Sequence, residues 1–148
     1  MDVIFDIDGT LADVVHRRHF VASKPKNWAA FNAAAHLDKV IEPVAETCRR
    51  LRQGAARIIF ATGREGTHAI RTTTMNWLLN NGIGEIGDFL FMRGEKDYRP
   101  DHIVKEEILA EMRAKGFKPT IAFDDRQQVV DMWRRNGLIC AQVAVGDF

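Results

Sequence analysis

The sequence predicts an α/β fold: a three-layer sandwich around a central, mostly parallel sheet, with a small cap inserted after the first strand. Short apolar runs alternate with amphipathic helical segments along most of the chain, and a glycine follows each helical segment. Such runs, bounded by turns, are typical of strands buried on both faces of a parallel sheet. Right-handed crossover helices then cover both faces of the sheet.

Five apolar runs are predicted strands, at residues 3–7, 57–61, 88–92, 120–123 and 138–143. The segments between them are predicted helices because their apolar residues recur at the spacing of one helix face. These helices cover residues 40–53, 67–80, 101–115 and 126–136. In the first helix Val44, Cys48 and Leu51 fall on one stripe, and Gly54 ends it.

Residues 14–39 do not follow this alternation. The segment is polar and basic at first and then shows a helical pattern around Trp28 and Phe31. It is interpreted as a small cap, the alternative being a long connection that covers one face of the sheet. Because the chain shows no repeat or linker, residues 1–148 are predicted to form one domain.

The composition excludes several classes of protein. The net charge is +1, and 46% of the 148 residues are hydrophobic, which argues against a disordered chain. A membrane span needs about 20 consecutive apolar residues, and the sequence has no such run. The charge balance also argues against a strongly basic nucleic-acid coat, although a local basic patch remains compatible. The acids Asp2 and Asp6 near the start do not suit a secretory signal, so we expect a cytoplasmic protein.

Cys48 and Cys140 lie far apart, each within an apolar pattern. A cytosolic chain keeps its thiols reduced, so a disulfide is not expected. No short Cys/His spacing suggests a metal site. The two residues are predicted to be buried thiols that act as small apolar side chains.

Polar clusters follow three of the predicted strands: Asp6-Ile7-Asp8-Gly9-Thr10, Thr62-Gly63-Arg64 and Asp124-Asp125-Arg126. Ligands of open parallel sheets bind outside the carboxyl ends of the strands, so these clusters are expected to converge at one edge. Adjacent carboxylates repel one another unless a cation lies among them. A set of ligands that are all oxygen atoms favours a hard cation, and Mg²⁺ is the first candidate.

The first cluster resembles the nucleophile motif of the haloacid dehalogenase-like (HAD) phosphotransferases. The other motifs of that superfamily also occur in order, as Thr62, Lys105 and the pair Asp124-Asp125. The resemblance implies a HAD-like Rossmann-type fold. It also implies that Asp6 is the nucleophile, that Asp8 is the acid and base, and that Thr62 and Lys105 contact the phosphoryl group.

A closer resemblance is to the 3′-phosphatase domain of bacteriophage polynucleotide kinase–phosphatase. It rests on residues 104–108, residues 124–135 and the ending Gln142-Val143-Ala144 with Gly146-Asp147-Phe148. Residues 14–39 match poorly. The sequence has no GxxxxGK[ST] P-loop and no room for a kinase domain. This departure from the phage protein predicts a free-standing phosphatase without kinase activity, and the resemblance implies a source in a bacterium or a phage-infected host cell.

The resemblance implies a set of site residues. Mg²⁺ would be held by Asp6, Asp124, Asp125 and the backbone carbonyl of Asp8; which residue of the pair binds directly stays open. Substrate-binding candidates are Arg17, Arg64, Arg93 and Arg126, because arginines suit bidentate phosphate contacts. Supporting candidates are Gly9, Thr10, Gly63 and Asp101.

Two features of the cap are open to two interpretations. Arg17, Arg18, Lys24 and Lys26 form a basic stretch that either meets a polynucleotide backbone as a positive rim or is a solvated loop. Trp28 either packs in the cap or stacks on a base. Trp77 and Trp133 are expected in the core.

These residues predict an Mg²⁺-dependent phosphatase that removes 3′-phosphates from DNA or RNA ends through an aspartyl-phosphate. Alternatives are a phosphatase for free nucleotides or other small esters, a non-catalytic module that binds phosphate ends, and a phosphoglucomutase-like phosphotransferase. The expected partner is a nucleic-acid 3′ end and not a membrane, and the protein is expected to be a monomer or small homo-oligomer. The preference between DNA and RNA stays open.

Overall fold

The computed structural model describes residues 1–147; Phe148, the last residue of the phage-like ending, lies outside them. Five strands form a central sheet: β1 (Asp2–Phe5), β4 (Arg57–Glu65), β5 (Phe89–Arg93), β6 (Pro119–Asp124) and β7 (Ile139–Gln142). Their order in the sheet is β5-β4-β1-β6-β7, and every neighbouring pair is parallel. The predicted central parallel sheet is confirmed.

Strand β1 lies in the middle of the sheet because both of its faces are apolar. Alternate side chains of a strand point to opposite faces, and all four residues of β1 are buried. Ile4 packs into one hydrophobic cluster, and Val3 and Phe5 pack into another on the opposite face. These two cores give the three predicted layers.

Four long helices cover the two faces. They are α3 (Glu42–Gln53), α4 (His68–Asn80), α5 (Asp101–Ala114) and α6 (Gln127–Arg135). The cluster around Ile4 contains the apolar residues of α5 and α6, and the cluster around Val3 contains those of α3 and α4. Helix α3 begins two residues later than the predicted residue 40, because Val40 pairs in a strand and Pro43 lies in the first helical turn.

The insertion after the first strand is held by a two-stranded antiparallel ribbon, β2 (Ala12–Asp13) and β3 (Lys39–Val40), outside the main sheet. Between these strands lie the short helices α1 (His19–Ala22) and α2 (Trp28–Ala33). Single 3₁₀ turns cover Val15–Arg17 and Ala35–Leu37. We call residues 14–38 the cap.

Strand β4 is longer than predicted, and this changes the position of one motif. The sequence placed the strand at residues 57–61, whereas β4 continues to Glu65. Thr62, Gly63 and Arg64 are therefore part of the strand and do not follow it. The register between β4 and β5 shifts between Thr62 and Glu65, and this irregularity accommodates the motif at the carboxyl end of the sheet.

None of the helices within residues 1–147 combines the length and the apolar character needed to cross a membrane.

Both cysteines are buried and free, as predicted. Burial raises the pKa of the Cys48 thiol and the Cys140 thiol to about 12, so at pH 8 only a very small fraction is thiolate.

We expect no reaction of the native protein with 5,5′-dithiobis(2-nitrobenzoic acid) at pH 8. In guanidinium chloride two thiols per chain should react. Rapid labelling of the native protein would contradict this arrangement.

Candidate active site

Three chain segments bring their charged side chains together at the carboxyl edge of the sheet. Asp6 directly follows β1, Asp124 is the last residue of β6, and Lys105 lies in the second turn of α5. The Lys105 Nζ donates to Asp6 Oδ1 at 2.7 Å and to Asp124 Oδ2 at 2.9 Å. All three side chains are buried. The convergence expected from the parallel sheet is therefore present.

Lys105 is the cation of this cluster. In addition to its two hydrogen bonds, its Nζ lies 3.5 Å from Asp101 Oδ2, one helical turn earlier. Burial opposes its charge, but the carboxylates of Asp101, Asp124 and Asp6 outweigh burial and raise the pKa of Lys105 above its ordinary value. Lys105 therefore remains an ammonium at any physiological pH.

Asp124 is held in place by four donors. Its Oδ1 accepts from the backbone N–H of Asp125 at 2.9 Å and of Arg126 at 3.3 Å. Its Oδ2 accepts from Lys105 and, at 3.1 Å, from the indole Nε1 of Trp133. The sequence placed Trp133 in the core, where it is, but did not reveal this hydrogen bond. Four donors occupy about all the acceptor positions that a carboxylate offers.

Asp6, Asp124 and Asp125 form a cluster that fits a metal ion, and we call it the acidic group. Each offers a carboxylate oxygen, and these oxygens lie within 4.8 Å of one another. Burial and the neighbouring carboxylates raise the pKa of Asp6, although Lys105 opposes the shift. Burial and Asp124 raise the pKa of Asp125 to about 6. One ammonium therefore does not balance the group, and an oxygen-only donor set of this kind suits Mg²⁺.

Thr10 and Gly9 shape the turn that carries Asp6. The hydroxyl of Thr10 donates to Asp6 Oδ2 at 3.0 Å and lies 3.5 Å from Asp125 Oδ1. Gly9 has a φ of +83°, a conformation that side chains disfavour. The turn thus fixes the orientation of the Asp6 carboxylate. Both residues were expected to support the site.

Asp8 points to the cap and not into the acidic group. Its carboxylate accepts from Arg64 Nε at 3.1 Å and from Arg17 Nη2 at 2.7 Å. Burial opposes ionisation of Asp8, but the two guanidinium groups outweigh burial and lower its pKa to about 2. A general acid needs a raised pKa; in this arrangement Asp8 is instead ionised.

Asp38, at the end of the cap, is a site residue that the sequence analysis missed. Its Oδ2 accepts from Arg17 Nη2 at 2.6 Å and lies 3.3 Å from Arg64 Nη2, and its Oδ1 accepts from Arg17 Nε at 2.7 Å. Its backbone carbonyl accepts from the indole of Trp77. A signal was present, because Asp38 is the one acid between Asp13 and Glu42.

Arg17 fits neither interpretation of the basic stretch, a positive rim or a solvated loop. Its side chain is fully buried between Asp38, Asp8 and the ring of Phe31, because a guanidinium with two carboxylate partners can leave water. Arg18 pairs with Asp147 and is half-buried. Of the four basic residues in this stretch, Lys24 and Lys26 are exposed, as a positive rim would require.

Thr62 and Arg64 lie buried on β4. The Thr62 hydroxyl accepts from the backbone N–H of Arg64 at 3.2 Å, and Arg64 Nη1 donates to Thr74 Oγ1 at 3.1 Å. Arg64 therefore positions Asp8 from the core side, as Arg17 does from the cap side.

Arg93 braces a loop. Its Nε donates to the carbonyl of Gly63 at 2.7 Å, and its Nη1 donates to the carbonyls of Asp97 and Arg99. Its Nη2 reaches Asp101 Oδ1 at 3.4 Å. Most of its donors are thus engaged within the protein, which argues against the predicted substrate contact. A Cβ on Gly63 would lie 2.2 Å from Asp101 Oδ1, so a larger residue there would require the Asp101 side chain to move.

A cleft of about 700 Å³ opens over this group, between the cap and the edge of the sheet. Asp6, Asp8 and Asp125 line its base, and Arg126 lines one side. The C-terminal segment runs beside the acidic group, since the N–H of Gly146 donates to the carbonyl of Asp125 at 3.1 Å. The site is thus an open cleft with carboxylates and a candidate cation site at its base, and the buried ammonium of Lys105 is bonded to one of these carboxylates, Asp6.

Comparisons with known proteins agree with this geometry. A family model of the polynucleotide kinase PNKP phosphatase domain matches residues 1–148. Chains of the Pnkp1/Rnl/Hen1 complex and of the Pnkp1/Rnl/Hen1 RNA repair complex are each 36% identical, with a TM-score of 0.81 and 99% of this chain covered. This chain spans only 46% and 43% of their lengths.

A more distant neighbour shows the fold alone. It is a HAD family enzyme from Bacteroides thetaiotaomicron in complex with magnesium and inorganic phosphate, 12% identical with a TM-score of 0.55. The match covers 99% of this chain and 96% of that chain.

Removing the buried ammonium should destabilise the protein strongly. Lys105→Met leaves the carboxylates of Asp6 and Asp124 without their cation, and breaking a buried ion pair in this way costs about 3–5 kcal/mol. Urea unfolding measures the change in the free energy of unfolding. Lys115→Met, which removes an exposed pair with Glu111, should cost less than about 1 kcal/mol. Similar losses in both variants would show that Lys105 is not the central cation.

Mg²⁺ should stabilise the protein more at pH 7.5 than at pH 5. The folded pKa of Asp125, about 6, lies above its ordinary value of 3.8, so the metal-free protein loses stability as the pH rises between these values. Mg²⁺ relieves this loss once the proton has left. Calorimetric Tm with and without MgCl₂ measures the effect. Asp125→Asn should reduce the shift, and the exposed Asp131→Asn should not; an equal shift with NaCl at matched ionic strength would contradict a specific site.

Proposed function

Since this chain belongs to the family of polynucleotide kinase PNKP phosphatase domains, a HAD-type phosphatase family, we propose that it is an Mg²⁺-dependent enzyme that removes 3′-phosphates from DNA or RNA ends. The observation that carries the proposal is the Asp6 carboxylate at the base of an open cleft, held by Lys105 at 2.7 Å and by Thr10 at 3.0 Å. Its orientation is fixed before any substrate arrives.

In the first step a carboxylate oxygen of Asp6 attacks phosphorus, forming an aspartyl-phosphate. The bond between phosphorus and O3′ breaks, and its electron pair goes to O3′. Asp8 supplies the proton that makes the leaving oxygen a hydroxyl. Lys105 offsets negative charge on the phosphoryl group and on Asp6, as preorganised cations do at such sites.

The ionised state of Asp8 sets a condition on this step, because Asp8 has to gain a proton first. A phosphate monoester has a second pKa of about 6, so near neutral pH part of the substrate carries a proton. We propose that the bound phosphate passes this proton to Asp8. The phosphate also brings negative charge close to Arg64 and Arg17, and this weakens their hold on the Asp8 carboxylate.

In the second step water attacks phosphorus, and Asp8 accepts a proton from that water. The bond between phosphorus and the Asp6 oxygen breaks, which restores the carboxylate and releases inorganic phosphate. Asp6 and Asp8 therefore have opposite roles, and their different surroundings support this division. Asp6 faces Lys105 and the acidic group, whereas Asp8 faces two arginines.

The Mg²⁺ ion would be held by Asp6, Asp125 and the backbone carbonyl of Asp8, and it would neutralise charge on the phosphoryl oxygens. The hydrogen bonds favour Asp125 over Asp124 as the direct ligand. Asp124 already accepts from four donors, whereas within residues 1–147 the Asp125 carboxylate has one side-chain donor, the Thr10 hydroxyl, at a long 3.5 Å from Oδ1. Asp124 would then orient Lys105.

Two observations support a nucleic-acid end as the substrate. The cleft is open along the cap, so the rest of a long chain can leave the site. The similar chains come from complexes that include an RNA repair complex. A free nucleotide would also reach Asp6, and relative rates on the two kinds of substrate decide between them. A reducing cytoplasm suits the two free thiols of the protein.

The test is phosphate release from a 3′-phosphorylated oligonucleotide with Mg²⁺. We expect turnover by the wild-type protein and a loss of at least about 1,000-fold in Asp6→Asn, because the nucleophile is removed. Asp131→Asn, an acid on the exposed side of α6, should keep full activity.

A 5′-phosphorylated oligonucleotide and a 3′-mononucleotide complete the substrate panel. Slower release from both would support the specificity proposed. Equal or faster release from the mononucleotide would replace the proposal with a small-ester phosphatase. Binding of the 3′-phosphorylated end without release of phosphate would indicate a non-catalytic module.

A further inference from the structure

The cap presents an exposed indole to the cleft. Trp28 is 48% exposed, whereas Trp77 is 5% exposed and Trp133 is fully buried. An indole that is half exposed offers a ring face and an N–H to a ligand. Trp28 lines the same cleft as Asp6 and Asp8.

The indole is held by neighbours from its own helix and the preceding loop. The ring of Phe31, one turn later, meets it edge to face with 5.5 Å between centroids, and Lys26 Nζ lies 5.5 Å from its centroid. Asn27 caps the helix, its side chain accepting from the N–H of Ala30. The ring is thus preorganised and would lose little conformational freedom on binding.

Three successive contacts connect this ring to the reacting end of the cleft. Trp28 touches Phe31, the guanidinium of Arg17 lies 4.1 Å from the Phe31 centroid, and Arg17 Nη2 is 2.7 Å from Asp8 Oδ1. The aromatic surface is therefore linked by direct contacts to the arginine that holds Asp8, in the cleft that Asp6 also lines. The loop between β5 and α5 adds Tyr98, which is 86% exposed, to the same cleft.

We propose that Trp28 stacks on the terminal base of the strand whose 3′-phosphate reaches Asp6. This inference rests on the proposed function and adds to it a substrate class: a strand end with an unpaired terminal base. Lys26 beside the ring suits the phosphate on the 5′ side of the stacked nucleoside. Stacking is tolerant of base identity because every base has a π face, so the contact selects unpaired ends without reading sequence.

The test compares two single-stranded oligonucleotides with a 3′-phosphate, one ending in a normal adenosine and one ending in an abasic residue. Trp28→Leu should raise KM for the adenosine end about tenfold or more, with kcat within about twofold, the size of one base–aromatic stack. For the abasic end the same variant should behave like the wild type. Trp28→Phe should keep most of the wild-type KM, because it keeps an aromatic face.

Tryptophan fluorescence gives a second measurement that does not depend on turnover. In Asp6→Asn, addition of the adenosine-ended oligonucleotide should quench emission, and the abasic one should quench far less. Since Trp77 and Trp133 are buried, the signal reports on Trp28. Binding detected by fluorescence anisotropy of a labelled oligonucleotide without quenching would overturn the proposal.

The outcomes separate the two proposals. If the wild-type protein releases no phosphate from any 3′-phosphorylated oligonucleotide, the proposed function fails. If it releases phosphate but Trp28→Leu changes KM equally for the adenosine and abasic ends, or for neither, only the stacking proposal fails. Far-UV circular dichroism and Tm of each variant establish that the cap remains folded.

Discussion

The buried ammonium of Lys105 holds together two carboxylates, Asp6 directly after β1 and Asp124 at the end of β6. In a low-dielectric interior, Asp6 and Asp124 repel each other strongly, and one cation between them turns repulsion into attraction. The contact joins residues 99 positions apart in the chain, so helix α5 must dock in one orientation over the sheet. The same arrangement leaves the acidic group with excess negative charge, which explains why a divalent cation suits it.

A second buried network sets the state of Asp8. Arg17 and Arg64 approach this carboxylate from the cap and from β4, and both are also close to Asp38. Two carboxylates and two guanidinium groups balance one another, so the network tolerates burial. The cap is therefore more than a cover over the sheet, because its Arg17 acts together with Arg64 of β4 to lower the pKa of Asp8 at the base of the cleft. Asp6 and Asp8 are separated by one residue but lie in opposite electrostatic surroundings.

Local patterns account for the correct part of the sequence analysis. The apolar runs mark each strand because burial on both faces of a sheet requires them. The end of β4 was misplaced because Thr62, Gly63 and Arg64 are not apolar, and they extend the strand through pairing and ion contacts that only neighbouring elements supply. Asp38 was missed for a similar reason. Its importance comes from Arg17, 21 positions away, and no periodicity links the two.

By itself, the sequence determined the α/β class, the order of the elements and the presence of oxygen ligands at the carboxyl edge of the sheet. These properties follow from the spacing of apolar residues and from short motifs, which are local. Only the tertiary structure decided which charges pair, that Arg17 is buried and not a positive rim, and that Trp28 alone of the three indoles is substantially exposed. Burial and ion pairing depend on which distant side chains share a volume that excludes water, and that information exists only once the helices and the cap have packed on the sheet.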